Sequence, residues 1–204
     1  MMLPSQEKYL IIGLGNPGRD YLHNRHNVGY MVINEYLKST GIKISKMKYG
    51  FGVETPRAIF LMPDTFMNNS GTAVKHYLAK IGGDSNKLCV VQDDMDIELG
   101  RVILKFNGGD NGHNGIKSIN NSIRTNKYYR IRIGVGRPPE GMEPADYLLS
   151  DFLPNELEAI KNGIKKASDG LDIIIKDGFI KAMNQINKTK RQNKKEENIN
   201  GERI

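Results

Sequence analysis

The chain of 204 residues has one cysteine, no tryptophan and no apolar run of 18 residues. A single cysteine excludes a disulfide framework and fits a reducing compartment, so we expect a cytoplasmic location. Without a long apolar run the sequence predicts no membrane span, and the apolar run before Gly13 is too short to indicate a signal peptide. Cys89 lies in an apolar, strand-like run and is interpreted as a buried small side chain rather than a nucleophile.

Acidic residues are fewer than basic ones, 23 against 30, and the basic excess is unevenly distributed. Residues 101–137 contain eight basic side chains and one acid, a net charge of +7, whereas residues 186–204 contain six basic side chains and three acids. This asymmetry predicts a basic face that binds a polyanion. The alternative is that the lysines only make the surface hydrophilic and bind no partner.

Apolar periodicity predicts strands that alternate with helices. The predicted strands are 8–13, 51–62 (which can form a hairpin), 88–92, 101–106 (which can be antiparallel) and 130–135. The predicted helices are 27–39, 70–81, 114–123, 154–175 and 178–187. This alternation indicates an α/β fold with one domain, a twisted mixed sheet with helices on both faces. We expect the domain to span residues 1–187, and the polar, lysine- and asparagine-rich tail 188–204 to be disordered.

The glycines of Gly13–Gly18 match the dinucleotide-binding pattern G-x-G-x-x-G, but no helix follows them directly. A dinucleotide loop needs a helix N-terminus against the pyrophosphate, and here the helical stripe starts only at Val28. We therefore expect no nicotinamide cofactor. The glycines are instead predicted to let a turn pass close to a ligand, with Asn16 and His26 on either side.

A histidine titrates near neutrality and can take a proton from water, which makes it a candidate general base. Of the four histidines, His76 falls inside a predicted helix and is interpreted as structural. Spacing alone does not distinguish His23, His26 and His113.

Three carboxylates, Asp93, Asp94 and Asp96, follow a predicted buried strand. Ligand sites of open α/β sheets gather at such strand ends. The three can be turn residues, can hold Mg²⁺ as in a metal-dependent phosphoesterase, or can include one aspartate that orients a histidine. A second, well-spaced set of metal ligands is missing, which disfavours the metal site.

Residues 61–71 join a predicted strand to a helix. Asn68 and Ser70 can serve as helix N-caps, but Asn68 can also present its amide to a substrate beside an apolar wall of Phe66 and Met67. The pattern G-x-S-x-G is absent, which argues against a serine-hydrolase elbow.

A glycine-rich loop, residues 107–116, leads into the helix predicted to start near Asn114. Its backbone amides and the helix N-terminus suit a phosphate. Arg130 and Arg132 share one face of a predicted strand and can grip phosphates, although an ordinary solvated sheet face would show the same pattern.

Taken together, these segments resemble bacterial-type peptidyl-tRNA hydrolase. The matching stretches follow the family's order over residues 8–187: Gly13–Gly18 with Tyr21, Arg25–Gly29, Pro63 with Thr65–Asn68 and Ser70–Gly71, Asp93–Asp96, Gly112–Gly115 and Arg130–Gly134. The resemblance implies a translation enzyme that cleaves the ester between a peptide, or another N-substituted aminoacyl group, and tRNA. Such an enzyme recycles peptidyl-tRNA released prematurely from ribosomes, as a monomer without metal, cofactor or obligate protein partner.

The resemblance also implies roles for single residues. His26 matches the family's catalytic base and Asp93 its orienting carboxylate. The amides that hold the peptide and 3′ CCA ends of the substrate match Asn16, Asn68 and Asn114. Tyr21 and Met67 match the wall of the family's pocket, and His113 matches a residue at its rim. Lys105 and Arg132 match the basic pair that clamps the terminal phosphate of the tRNA. From the residue pattern we add Phe66 to the wall and Arg130 to the phosphate-binding surface.

Two positions depart from the family's pattern. Gln92 stands where many members have histidine, and Glu98 stands where proline is common. Neither change removes a catalytic group, so we expect activity. A non-catalytic RNA-binding relative, similar to chloroplast intron-splicing factors, is the second hypothesis, and the presence of His26, Asp93 and Asn68 speaks against it.

Overall fold

The computed structural model describes residues 8–188. In this range, strands and helices alternate along most of the chain. The strands are β1 (Tyr9–Gly13), β2 (Ser45–Met47), β3 (Gly50–Glu54), β4 (Ala58–Pro63), β5 (Leu88–Asp94), β6 (Val102–Phe106) and β7 (Tyr129–Gly134). The helices are α1 (Val28–Ser39), α2 (Ser70–Lys80), α3 (Asn114–Ile123), α4 (Pro144–Leu149), α5 (Leu157–Asp177) and α6 (Phe179–Ile186).

The strands form one mixed sheet in the order β2-β3-β4-β1-β5-β7-β6. β1 is parallel to β4 and β5, and β5 is parallel to β7. The remaining neighbours, β2–β3, β3–β4 and β6–β7, are antiparallel. The hairpin predicted in 51–62 and the antiparallel strand predicted at 101–106 are therefore both present.

Apolar side chains pack on both faces of this sheet, because successive residues of a strand point in opposite directions. On β5, Cys89 and Val91 belong to the cluster under α1, α5 and α6, whereas Leu88 and Val90 belong to the cluster under α2 and α3. The predicted fold, a mixed sheet with helices on both faces, is confirmed. None of the described helices is long and apolar enough to cross a membrane.

Three local features differ from the prediction. β2 is a short, largely exposed strand with no apolar alternation, so it is defined by its pairing with β3 rather than by its own sequence. α4 has six residues, too few to show a helical stripe. β5 continues to Asp94, two residues past the predicted end, which places Asp93 within the sheet and opposite Ile133 of β7.

The carboxyl ends of the parallel strands β1, β4, β5 and β7 lie at the same edge of the sheet. This edge is where open α/β sheets bind their ligands. The last helix, α6, ends at Ile186. The domain boundary at residue 187 stays a prediction, and the predicted disorder of the tail concerns residues 189–204, which lie outside the described residues.

Candidate active site

His26 lies in a single 3₁₀ turn, Arg25–Asn27, immediately before α1. Its Nδ1 lies 2.8 Å from Oδ1 of Asp93 at the end of β5, and the exposed fractions of the two residues are 8% and 2%. An ionised carboxylate can only accept hydrogen bonds, so Nδ1 of His26 carries a proton and donates it. The lone pair is then on Nε2, the form of imidazole that acts as a general base.

His113 contacts the same carboxylate oxygen. Its Nε2 lies 3.1 Å from Oδ1 of Asp93, and its Nδ1 accepts hydrogen bonds from the backbone N–H groups of Gly115 (3.1 Å) and Ile116 (3.4 Å). Because these amides only donate, the proton of the neutral ring must be on Nε2. His113 thus caps the N-terminus of α3 with one nitrogen and donates to Asp93 with the other.

The electrostatics of the pair follow from burial and charge. Burial disfavours the charged imidazolium, but the carboxylate of Asp93 outweighs it through its charge and its hydrogen bond, so the pKa of His26 is raised above its ordinary value of 6.5. Burial would likewise raise the pKa of Asp93, but the charges and hydrogen bonds of His26 and His113 hold that pKa well below its usual range. Asp93 is therefore ionised wherever His26 titrates.

Asn27, the residue after the histidine, fastens the Asn16 loop to the same turn. Its Oδ1 accepts from the backbone N–H of Asn16 (2.8 Å), and its Nδ2 donates to the carbonyl of Asn16 (2.9 Å). The Oδ1 of Asn16 in turn accepts from the backbone N–H of Met67 (2.9 Å). This bond orients the carboxamide of Asn16 and leaves Nδ2 as its donor group.

The contacts close into a ring at the carboxyl edge of the sheet. A Cβ placed on Gly115 would lie 2.6 Å from Sδ of Met67, so this glycine lets the start of α3 approach Met67 closely. The ring runs through Asn16, Met67, Gly115, His113, Asp93, His26 and Asn27, and returns to Asn16. It brings together residues from the loops after β1, β4 and β6 and from the end of β5.

Gly13 ends β1 and Gly15 lies just after it, and both allow a close approach to a neighbouring element. A Cβ on Gly13 would lie 2.5 Å from the carbonyl oxygen of Gly29, and a Cβ on Gly15 would lie 2.7 Å from the ring of Tyr30. These two glycines therefore let the chain pack closely against the start of α1, and the predicted approach of this turn to a ligand stays a prediction. Gly18 has a φ of 116°, a conformation that side chains disfavour.

Four predicted site residues do not belong to the ring. The exposed Phe66 and Asn68 flank Met67, and the exposed Asn114 follows His113 as the first residue of α3. Tyr21 is partly buried and ends the 3₁₀ turn Arg19–Tyr21, between Asn16 and the histidine turn.

The three basic residues of β6 and β7 have different environments. Lys105 is exposed. Arg132 donates from Nε to Oδ2 of Asp94 at 2.6 Å. Arg130 is only 4% exposed, and its Nη1 and Nη2 donate to the carbonyls of Gly109 (2.8 Å) and Asn107 (3.1 Å). Its guanidinium therefore holds the glycine-rich loop, a role that the strand alternation did not predict.

The three clustered carboxylates diverge. Asp94 pairs with Arg132, the more exposed Asp96 pairs with Arg137, and Asp93 accepts from two imidazoles. Among residues 8–188, one group of histidine and acidic side chains is compact enough for a cation, with its ligand atoms within 4.8 Å: His26, Asp93 and His113. The nitrogens that face Asp93 carry protons and the other nitrogen of His113 caps α3, so this set suits proton sharing rather than metal ligation.

Sequence reasoning missed the role of Asn27 and the double role of His113. Asn27 was visible only as the neighbour of His26, and its pairing with a residue 11 positions earlier is a tertiary contact without a sequence signal. Helix N-caps are usually Ser, Thr, Asp or Asn, so a capping histidine is not suggested by the usual pattern.

A buried imidazole paired with a carboxylate and bordered by amides, at the carboxyl edge of an α/β sheet, is the arrangement of a general base that can activate water, as hydrolases require. The family model described as peptidyl-tRNA hydrolase matches residues 10–196. The chain therefore belongs to the peptidyl-tRNA hydrolase family, which confirms the resemblance seen in the sequence.

Individual relatives match along most of their length. The peptidyl-tRNA hydrolase of Frankia casuarinae is 40% identical over 182 residues, covering 87% of this chain and 92% of that protein. That of Bacillus cereus is 37% identical over 184 residues, covering 87% and 98%. The crystal structure of peptidyl-tRNA hydrolase from Acinetobacter baumannii matches with a TM-score of 0.82 at 28% identity, covering 91% of this chain and 97% of that one.

Proposed function

We propose that this chain hydrolyses the ester bond between a peptide, or another N-substituted aminoacyl group, and the 3′ end of tRNA, and so recycles peptidyl-tRNA released prematurely from ribosomes. The observation that carries the proposal is the buried 2.8 Å contact between Nδ1 of His26 and Oδ1 of Asp93, in a chain that belongs to this hydrolase family. That contact fixes the tautomer of His26, so the lone pair of the base is on Nε2.

In this mechanism Nε2 of His26 takes a proton from a water molecule, and the water oxygen attacks the ester carbonyl carbon. The bond from that carbon to the 3′ oxygen of the ribose then breaks, and the leaving oxygen takes the proton back from the imidazolium. Asp93 stabilises the imidazolium in between, and His113 keeps the carboxylate in place through its own hydrogen bond.

The amides supply donors for the negative charge that develops on the carbonyl oxygen. The Nδ2 of Asn16 is oriented by the bond from Met67 to its Oδ1, and Asn68 lies directly beyond Met67. We assign both to the oxyanion and the adjoining peptide group, where preorganised donors are most effective. Asn114, exposed at the start of α3, is assigned to the substrate's 3′ end.

The remaining predicted residues form the binding surfaces. We assign the peptide side to Tyr21, Phe66 and Met67 and the 3′ CCA side to His113 and Asn114. Lys105 and Arg132 are assigned to phosphates of the acceptor stem, and Arg130 acts through the glycine-rich loop that it holds. We also propose that the enzyme is a metal-independent monomer with no obligate partner and that it acts in the cytoplasm.

The test is release of the N-acetyl-aminoacyl group from N-acetyl-aminoacyl-tRNA, measured with and without EDTA. We expect multiple turnovers, unchanged by the chelator. Tight tRNA binding without turnover would instead establish the RNA-binding alternative. Turnover that EDTA abolishes and Mg²⁺ restores would overturn the metal-independent mechanism.

A further inference from the structure

Arg25, the residue before the histidine, is almost completely buried, with 2% of its surface exposed. Its backbone N–H and its Nη1 both donate to the carbonyl of Ser150, at 3.1 and 3.2 Å. Nη1 also donates to Oγ of Ser150 (2.9 Å) and to the carbonyl of Asp151, and Nη2 donates to Oε2 of Glu156 at 2.5 Å. One guanidinium thus ties the His26 turn to the segment between α4 and α5.

The segment that receives Arg25 is itself fixed. The ring of Tyr147 lies against the guanidinium, with its centroid 4.2 Å from Cζ, and its hydroxyl donates to the carbonyl of Val135 just after β7 (2.7 Å). The Oε2 of Glu156 also accepts from the backbone N–H of Leu153 (2.7 Å). Arg25 is therefore bound to residues 147–156, and the bond from Tyr147 to Val135 connects these residues to the central sheet.

The turn has one anchor on each side of His26. Asn27 fastens the following side to the Asn16 loop, and Arg25 fastens the preceding side to the α4–α5 segment. Without the guanidinium of Arg25, the imidazole would keep its bond to Asp93 and the turn would keep its backbone bond to Ser150, but the side-chain restraint that directs Nε2 would be lost. A displacement of about 1 Å is enough to reduce a rate strongly when reacting atoms must be aligned.

We propose that Arg25 is a positioning residue for ester hydrolysis: it fixes the His26 turn on residues 147–156 and so sets the direction of the imidazole. This role rests on the proposed function of His26. It requires the planar fork of the guanidinium, because a lysine ammonium can pair with Glu156 but cannot also reach the acceptors on Ser150 and Asp151 in the same geometry.

The experiment compares Arg25→Lys and Glu156→Gln with the wild type, and uses Asp169→Asn as the matched control, since Asp169 forms an exposed ion pair on α5. We expect kcat of Arg25→Lys to fall at least 10-fold with KM within two-fold of the wild type. The kcat of Glu156→Gln should fall less, because glutamine keeps an acceptor for Nη2 of Arg25. The kcat of Asp169→Asn should equal that of the wild type.

Two further readings separate positioning from loss of folding. The imidazole Nδ1–H resonance of His26, assigned by its loss in His26→Ala, should move in Arg25→Lys while the fold, followed by circular dichroism, is retained. The acid limb of the kcat profile should stay in place, because the imidazole keeps its bond to Asp93. In the described structure the titratable groups that contact the His26 ring are Asp93 and His113, and both are unchanged in these variants.

A folded Arg25→Lys variant with wild-type kcat would overturn the proposal. So would a decrease in kcat that only matches the fraction of unfolded protein and leaves the His26 resonance unmoved. If the wild type itself releases no aminoacyl group, the proposed function fails, yet the resonance still reports whether Arg25 positions the ring. Failure of the two proposals is therefore distinguishable.

Discussion

His26 and His113 contact the same oxygen of Asp93 but are held in different ways. His26 uses one nitrogen for the carboxylate and keeps the other for chemistry, whereas His113 has both nitrogens occupied by Asp93 and by the amides that open α3. Chemistry at this carboxylate therefore belongs to one imidazole, and the second one holds the carboxylate. This distinction depends on hydrogen-bond partners and is invisible in the spacing of the two histidines.

Replacement of Asp93 by asparagine should change both the rate and its pH dependence. The rate needs neutral His26, so it rises with pH through the raised pKa of His26. Without the carboxylate, the effect of burial remains and lowers that pKa, so the acid limb should move to lower pH. Because the imidazolium also loses its support, we expect the plateau of kcat to fall by about 10²–10⁴.

The control for this measurement is Asp96→Asn, because Asp96 pairs with Arg137 and not with a histidine. Its pH–rate profile should match that of the wild type. If the acid limb of the pH–rate profile of Asp93→Asn stays in place, the carboxylate does not set the protonation of His26.

Replacement of Asn68 by alanine tests the oxyanion assignment. Asn68 is exposed beside Met67, so its removal should leave the fold intact while one donor to the developing charge is lost. We expect kcat to fall by about 10²–10³ with little change in KM. The control is Asn69→Ala, one residue further on, which removes only an exposed hydrogen bond that the hydroxyl of Thr72 donates to Asn69. Its kcat and KM should equal those of the wild type. A raised KM with normal kcat would assign Asn68 to binding alone.

At the scale of secondary-structure elements, the glycine-rich loop after β6 shows what the sequence leaves undetermined. The glycines of residues 107–115 were visible, and so was the alternation that places Arg130 and Arg132 on one face of β7. The sequence did not show that the guanidinium of Arg130 binds the loop. That contact depends on the carbonyls of Asn107 and Gly109, which the pairing of β6 with β7 brings close to Arg130. Strand alternation predicts the face of a side chain, not its partner.

The salt dependence of binding separates the two basic side chains that face each other across β6 and β7, Lys105 and Arg130. Loss of an exposed lysine that contacts a phosphate should reduce the slope of log KM against log salt by about one, so we expect this for Lys105→Ala. Arg130→Gln should keep the wild-type slope and lower kcat, because it frees the loop that leads to His113. Equal loss of slope in both variants would mean that Arg130 also contacts phosphate.

At the scale of the whole molecule, the order of strands and helices was largely readable from periodicity. The mixed sheet, the hairpin and the helices on both faces follow from alternation and from the buried run of β5. β2 and α4 were missed because they are too short to carry a pattern and exist through their contacts. The site depends on the meeting of four chain segments, which a linear pattern does not contain and which the family resemblance supplied.

The most direct test of the account is single-turnover hydrolysis of N-acetyl-aminoacyl-tRNA by the wild type, His26→Ala and His23→Ala. His23 is an exposed histidine of the same loop and serves as the matched control. We expect a loss of rate of about 10²–10⁴ for His26→Ala and a rate within two-fold of the wild type for His23→Ala. Equal rates for the wild type and a folded His26→Ala variant would contradict it.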